Sequence, residues 1–172
     1  MDLSYPIGPF VAPASLDAAA RRSAIAAIRT AAGEFRAGVE GLTEAQLDTP
    51  YRPGGWTVRQ LAHHLPDSHL NAYVRFKLGL TEPHPTIKPY DQAAWAGLPD
   101  STGPVGPSLD LLTALHQRWT LVLEGMSEKD FARTLNHPEA GTLRLDQLLA
   151  MYAWHGRHHT AHVTTLKERQ KW

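Results

Sequence analysis

Four long stretches of this chain place apolar residues at steps of three and four, with prolines and glycines separating them. That spacing is one face of an α-helix, which turns every ~3.6 residues. In the first stretch, Ala18 to Val39, the stripe is Ile25, Ile28, Ala32, Phe35 and Val39, in a background of the strong helix formers Ala, Arg and Glu. The second opens at Trp56 or Thr57 and runs to about Leu80, with Leu61, Leu65, Ala72, Phe76 and Leu80 in line. Ser108 is positioned to cap the third, which carries Leu111, Leu112, Leu115, Trp119 and Val122 and ends near Gly125. The last starts at Arg144 or Leu145 and reaches about Arg169. Four such helices in 172 residues predict an all-α four-helix bundle with long connections.

The connections have their own signals. Pro6, Gly8, Pro9 and Pro13 make residues 1–15 an extended N-terminal arm, and Ser15 is a candidate cap for the helix after it. Thr43 and Ser127 are candidate caps of two short turns, the second anchored by Phe131. Thr81 to Pro107 holds six prolines and exceeds normal loop lengths, with room for a helical turn at Asp91–Ala96. Asn136-His137-Pro138-Glu139-Ala140-Gly141 reads as the turn of one small β-hairpin. Pro66 falls inside the second helix, where it removes a donor and clashes with the turn behind it, so a kink is expected with the stripe continuing beyond.

Charge excludes some functions. Lys plus Arg balances Asp plus Glu at 17 each, and no basic run occurs, which argues against nucleic acid as a partner. No apolar run approaches the ~20 residues that span a bilayer, and the N-terminus lacks the basic and apolar regions of a secretory signal. A cytoplasmic protein with no membrane partner is the expectation. Without cysteine the chain has no disulfide, no thiolate ligand and no cysteine nucleophile. GxGxxG, P-loop, GxSxG and HExxH patterns are all missing.

Histidine is where chemistry concentrates. Of ten, four fall at His155, His158, His159 and His162, while His63 and His64 form an upstream pair beside His69. Imidazole is the commonest side-chain metal ligand, and partners four apart on a helix face one way. The stripe Leu145, Leu148, Leu149, Tyr152 continues into His155 and His159, so these are the inward pair. His158 and His162 are turned about 60° or more away, toward a rim or an outer supporting role. His64 lies beside the second helix's stripe and is the better third ligand; His63 is turned further off. Asp67, one turn beyond His64, is a candidate to hold an imidazole N–H, and Tyr152 to orient a bound water or ligand. The alternatives are hydrogen-bonded structural histidines, or a surface cluster that captures metal adventitiously. His84, His116 and His137 receive no role.

Several segments, in order along nearly the whole chain, carry a family resemblance. They include Leu3-Ser4-Tyr5-Pro6-Ile7-Gly8, Gln46-Leu47-Asp48-Thr49-Pro50-Tyr51-Arg52 and Gly54-Gly55-Trp56-Thr57-Val58-Arg59-Gln60. Further on come Asp67-Ser68-His69, Arg75-Phe76-Lys77-Leu78, Lys88-Pro89-Tyr90-Asp91, Arg118-Trp119 and Trp154-His155. The chain thereby resembles the DinB-like superfamily, specifically its YfiT group. The resemblance implies a single bundle domain over residues 1–172, a homodimer, and a divalent metal on three histidines. Those ligands fall on His64, His155 and His159. It implies a metal-dependent hydrolase, or an S-transferase that joins a low-molecular-weight, bacillithiol-like thiol to an electrophilic small molecule. In either, His158, His162, Tyr152 and Asp67 are candidates for proton transfer or orientation. A non-catalytic metal-binding module is the third reading. Zinc is the expected ion, with nickel an expected occupant of purified protein.

Overall fold

The computed structural model describes residues 2–172. Seven helices and one hairpin follow in chain order: α1 (Ala18–Val39), α2 (Glu44–Leu47), α3 (Val58–Thr81), α4 (Gln92–Trp95), α5 (Gly106–Glu124), α6 (Glu128–Phe131), β1 (Thr134–His137), β2 (Gly141–Arg144) and α7 (Leu145–Gln170), with a 3-10 turn at Pro99–Thr102. The four long helices form a bundle in which α1 and α3 each pack against both α5 and α7.

Side-chain caps set most of the helix starts. Thr43 and Thr57 each form a reciprocal capping box, with Gln46 and Gln60 respectively, and Ser127 does so with Asp130. Asp91 caps α4 through the amides of Ala93 and Ala94. Two expected caps are displaced. Asp17, not Ser15, accepts from the Ala20 amide, so α1 begins at Ala18. The third long helix starts two residues earlier than Ser108, at Gly106 with Pro107 in its first turn, and the Ser108 hydroxyl instead meets His63. The helix α3 runs through Pro66 to Thr81, and Leu65, Ala72 and Phe76 stay fully buried on either side of it.

The expected stripes form the core with one exception: Leu111 is 44 % exposed, because Leu109, Leu112 and Leu115 occupy the inner face of α5. The core is divided. One apolar cluster joins Ile28, Phe76, Trp119, Leu148 and Leu149; another joins Phe35, Leu61, Leu65, Leu112 and Val163. His69 on α3 and His155 and His159 on α7 lie between these clusters, and His64 packs against His155 and His159, so a layer of imidazoles crosses the bundle. Helix α7 comes close to α1 here: a Cβ on Gly156 would lie 3.1 Å from Ala31 Cβ.

The hairpin pairs Thr134 with Arg144 and His137 with Gly141, and Gly141 takes φ 72, the left-handed region that glycine tolerates. The long connection after α3 packs back on that helix, where the Gly103 carbonyl receives Arg59 and meets His63. The N-terminal arm lies antiparallel along α7. Asp146 accepts from the Leu16 amide, Gln147 donates to the Pro13 carbonyl, Trp154 Nε1 donates to the Gly8 carbonyl, and His162 Nε2 reaches the Ser4 carbonyl. No described helix is long and apolar enough to cross a membrane.

Candidate metal centre

Three imidazoles from α3 and α7 converge. His155 Nε2 lies 3.4 Å from His64 Nε2 and 3.0 Å from His159 Nε2, and the ligand atoms of the three all fall within 4.8 Å of one another. Zinc–imidazole bonds of ~2.0–2.1 Å at tetrahedral angles separate ligand nitrogens by about 3.4 Å, so these spacings fit a shared ion. Burial pushes His64 down to about 4 and holds His155 and His159 well below the ordinary imidazole range, with neighbouring histidines adding to the effect. All three are therefore neutral at pH 7 and keep the lone pair that coordination requires.

The remaining ring nitrogens of His155 and His159 are occupied, one on each side of the centre. On one side, His155 Nδ1 meets His69 Nε2 at 3.1 Å, and His69 Nδ1 meets His116 Nε2 at 2.7 Å. With His155 Nε2 bare for an ion, protons run one way: His155 Nδ1–H donates to His69, and His69 Nδ1–H donates to His116. His69 is wholly buried and His116 nearly so, and burial keeps both neutral. On the other side, His162 Nε2–H donates to the Ser4 carbonyl at 3.3 Å, which leaves its Nδ1 to accept from His159 Nδ1–H at 3.4 Å. Each of these two ligands is thus fixed in the tautomer that aims Nε2 at the centre.

Of the outer candidates, His162 has the expected supporting role through its bond to His159, and Asp67 and Tyr152 are placed differently from the expectation. His158 and His162 lie under the arm rather than on an open rim, 7% and 3% exposed, with Trp154 stacked on His158 at 4.2 Å and Tyr51 on His162 at 3.9 Å. With His159 they form a second close group of imidazoles. The Asp67 carboxylate hydrogen-bonds no histidine among the described residues; burial and Asp100 push it up to about 6. The task sketched for it falls to His69. Tyr152 stacks edge-on to His69 and His155 and accepts a hydrogen bond from Arg75 at 3.2 Å, behind the centre rather than in the cavity. His63 is held by Ser108 and Gly103.

The open side of the centre is a cavity of about 380 Å³. Its walls include Tyr5 from the arm, Tyr51, Arg52 and Trp56 from the loop before α3, and Trp154 from α7. Three nitrogens at the floor and space above them leave room for a water or substrate atom on an ion, the arrangement of catalytic rather than structural zinc.

Comparison with known proteins follows the same lines. The sequence pattern of the DinB superfamily matches residues 27–163. A protein of Bacillus mycoides (strain KBAB4) is 49% identical over 171 residues, 99% of each chain, and is described as a "putative metal-dependent hydrolase". One from Bacillus cereus (strain 03BB102) has the same identity and coverage and the same description. Among solved structures, YfiT from Bacillus subtilis, described as a probable metal-dependent hydrolase with an unusual four-helix bundle topology, superposes with a TM-score of 0.97 at 44% identity, covering 100% of this chain and 99% of that one. A second four-helix bundle protein, TT2238, shares the fold alone, with a TM-score of 0.55 at 20% identity over 88% of this chain and 99% of that one.

Proposed function

The chain belongs to the DinB superfamily, and from that premise we propose that it is a metal-dependent enzyme whose ion is held by His64, His155 and His159. The observation that carries this reading is the approach of His159 Nε2 and His64 Nε2 to within 3.0 and 3.4 Å of His155 Nε2. Bare lone pairs at that distance repel unless a proton or cation lies between them. Burial disfavours an extra, charging proton, and the Nδ1–H bonds of His155 and His159 keep those rings' own protons off Nε2, so the site is suited to a cation. Zinc is the ion favoured by three neutral nitrogens in a chain without thiolates, although the donor set also accepts nickel.

When bound, a divalent ion lowers the pKa of a coordinated thiol or water, so that its deprotonated form is available near pH 7. The residues of this chain do the rest. His69 and His162 hold two ligands in register. Trp56, Trp154 and Tyr51 form an aromatic wall that limits water around the ligand atoms. Because the chain has no cysteine, a thiol must arrive as co-substrate. We take the reaction to be transfer of a low-molecular-weight thiol to an electrophilic small molecule held in the same cavity. Hydrolysis is the second reading, favoured by the descriptions of the Bacillus relatives.

Two measurements test this. Elemental analysis of untagged protein should find one equivalent of divalent metal, lost in His155→Ala; unchanged metal in dialysed His155→Ala refutes the ligand set. A screen of thiol and electrophile pairs should then show turnover that requires the thiol, whereas turnover without any thiol assigns hydrolysis instead.

A further inference from the structure

The cavity above the histidines has an unbalanced charge. Its lining contains one permanently charged side chain, Arg52, and no carboxylate. An ion on three neutral imidazoles keeps its full positive charge, and buried charge without a counter-charge is costly. No carboxylate among the described lining residues supplies it, so the counter-charge has to come from what binds there.

Arg52 is built to take part. Its Nε donates to the Tyr51 hydroxyl at 3.2 Å and its Nη1 to the Pro53 carbonyl at 3.1 Å, while Nη2 donates to no acceptor among the described residues. No described carboxylate pairs with it, whereas Arg59 and Arg144 are paired with Asp48 and Asp146. The loop that carries it is fastened at both ends. Tyr51 N donates to the Trp56 carbonyl, and the Tyr51 carbonyl accepts from Arg169 at 2.5 Å. Gly55 leaves the space across which the two side chains fold: a Cβ there would lie 2.8 Å from Arg52 Cγ and 3.0 Å from the Tyr51 ring. The Tyr51 ring in turn stacks on His162, beside the ligand His159.

We propose that Arg52 is the anion-recognising residue of this cavity, and that the substrate bound at the ion carries a second, anionic group, of the carboxylate class, that engages the guanidinium. This rests on the metal-dependent thiol reading above and adds the charge of the substrate to it. A guanidinium donating to a carboxylate makes a charge-assisted hydrogen bond, stronger than its neutral counterpart.

The test uses full-length protein loaded with Co²⁺, whose thiolate charge-transfer band reports a sulfur on the ion. The probes are 3-mercaptopropionate and 6-mercaptohexanoate, each against its amide, so that shape is held and charge is changed at two reaches. Wild-type protein should bind at least one acid about ten-fold more tightly than its amide. Arg52→Gln should abolish that preference while leaving amide binding and cobalt stoichiometry unchanged, and Arg52→Lys should restore part of it. Equal binding of acid and amide at both lengths, or a preference that survives Arg52→Gln in protein of normal circular dichroism, overturns the proposal and leaves the metal centre standing. Protein that holds one equivalent of cobalt yet binds no thiol overturns this proposal together with the thiol reading.

Discussion

Acidifying the metal-free protein from pH 7 to 5 is expected to destabilise it severely. In an unfolded chain an imidazole titrates near ~6.5. In the fold, burial lowers His64 and His116 to about 4. Between those values the unfolded chain takes up protons that the folded chain refuses. Each group's contribution is therefore complete above 6.5 and is lost as pH falls toward 4. Integrated from pH 7 to 5, each of the two costs about 2 kcal/mol, or about 4 kcal/mol together. His69, His155 and His159, held lower still by burial, act in the same direction. Asp67, pushed up to about 6, opposes them, but its partly solvated carboxyl offsets only a fraction. A loss of about 4 kcal/mol is a large share of the ~5–15 kcal/mol that stabilises a typical domain, and for this size lowers Tm by about 8–16 °C. Thermal unfolding followed by circular dichroism after chelator treatment, at pH 7, 6 and 5, measures it. A midpoint that moves by less than about 4 °C, or rises on acidification, refutes the claim that these rings are buried neutral.

Two further substitutions probe the layer. His69→Leu removes the acceptor of His155 Nδ1–H and the donor to His116, and should weaken zinc binding by about 10–100-fold in a chelator competition, with His64, His155 and His159 all intact; unaltered affinity would show that His69 does not support the centre. Gly156→Val forces a branched side chain against Ala31, whose Cβ already stands 3.1 Å from where a Cβ on Gly156 would sit, and should cost about 1–3 kcal/mol in urea unfolding.

Much of this molecule is legible in its sequence because helical periodicity is a local property. Ile28, Phe35, Leu61, Phe76 and Trp119 announce their burial by spacing alone, and Thr43, Thr57 and Asp91 announce helix starts by side-chain chemistry. Where a side chain has a distant partner, the local rule fails. Ser108 reads as a cap, yet its hydroxyl is drawn to His63, 45 residues away. His158 and His162 read as rim or supporting residues, and nothing in α7 reveals that the N-terminal arm lies over them. His69 reads only as a neighbour of the His63-His64 pair and His116 as a histidine without a role, although a signal exists. His69 stands four residues after Leu65 and three before Ala72, and His116 four after Leu112, so both occupy positions on the apolar stripes themselves. A polar ring at a core position demands a partner, and here the partners were each other.

The bonds that finish the site join residues remote in the chain: His64 to His155 across 91 positions, and Ser4 to His162 across 158. During synthesis the arm and α3 leave the ribosome long before α7 does. No subset of the early chain can therefore gather all three imidazoles, and an ion captured there marks a polypeptide translated at least as far as His159.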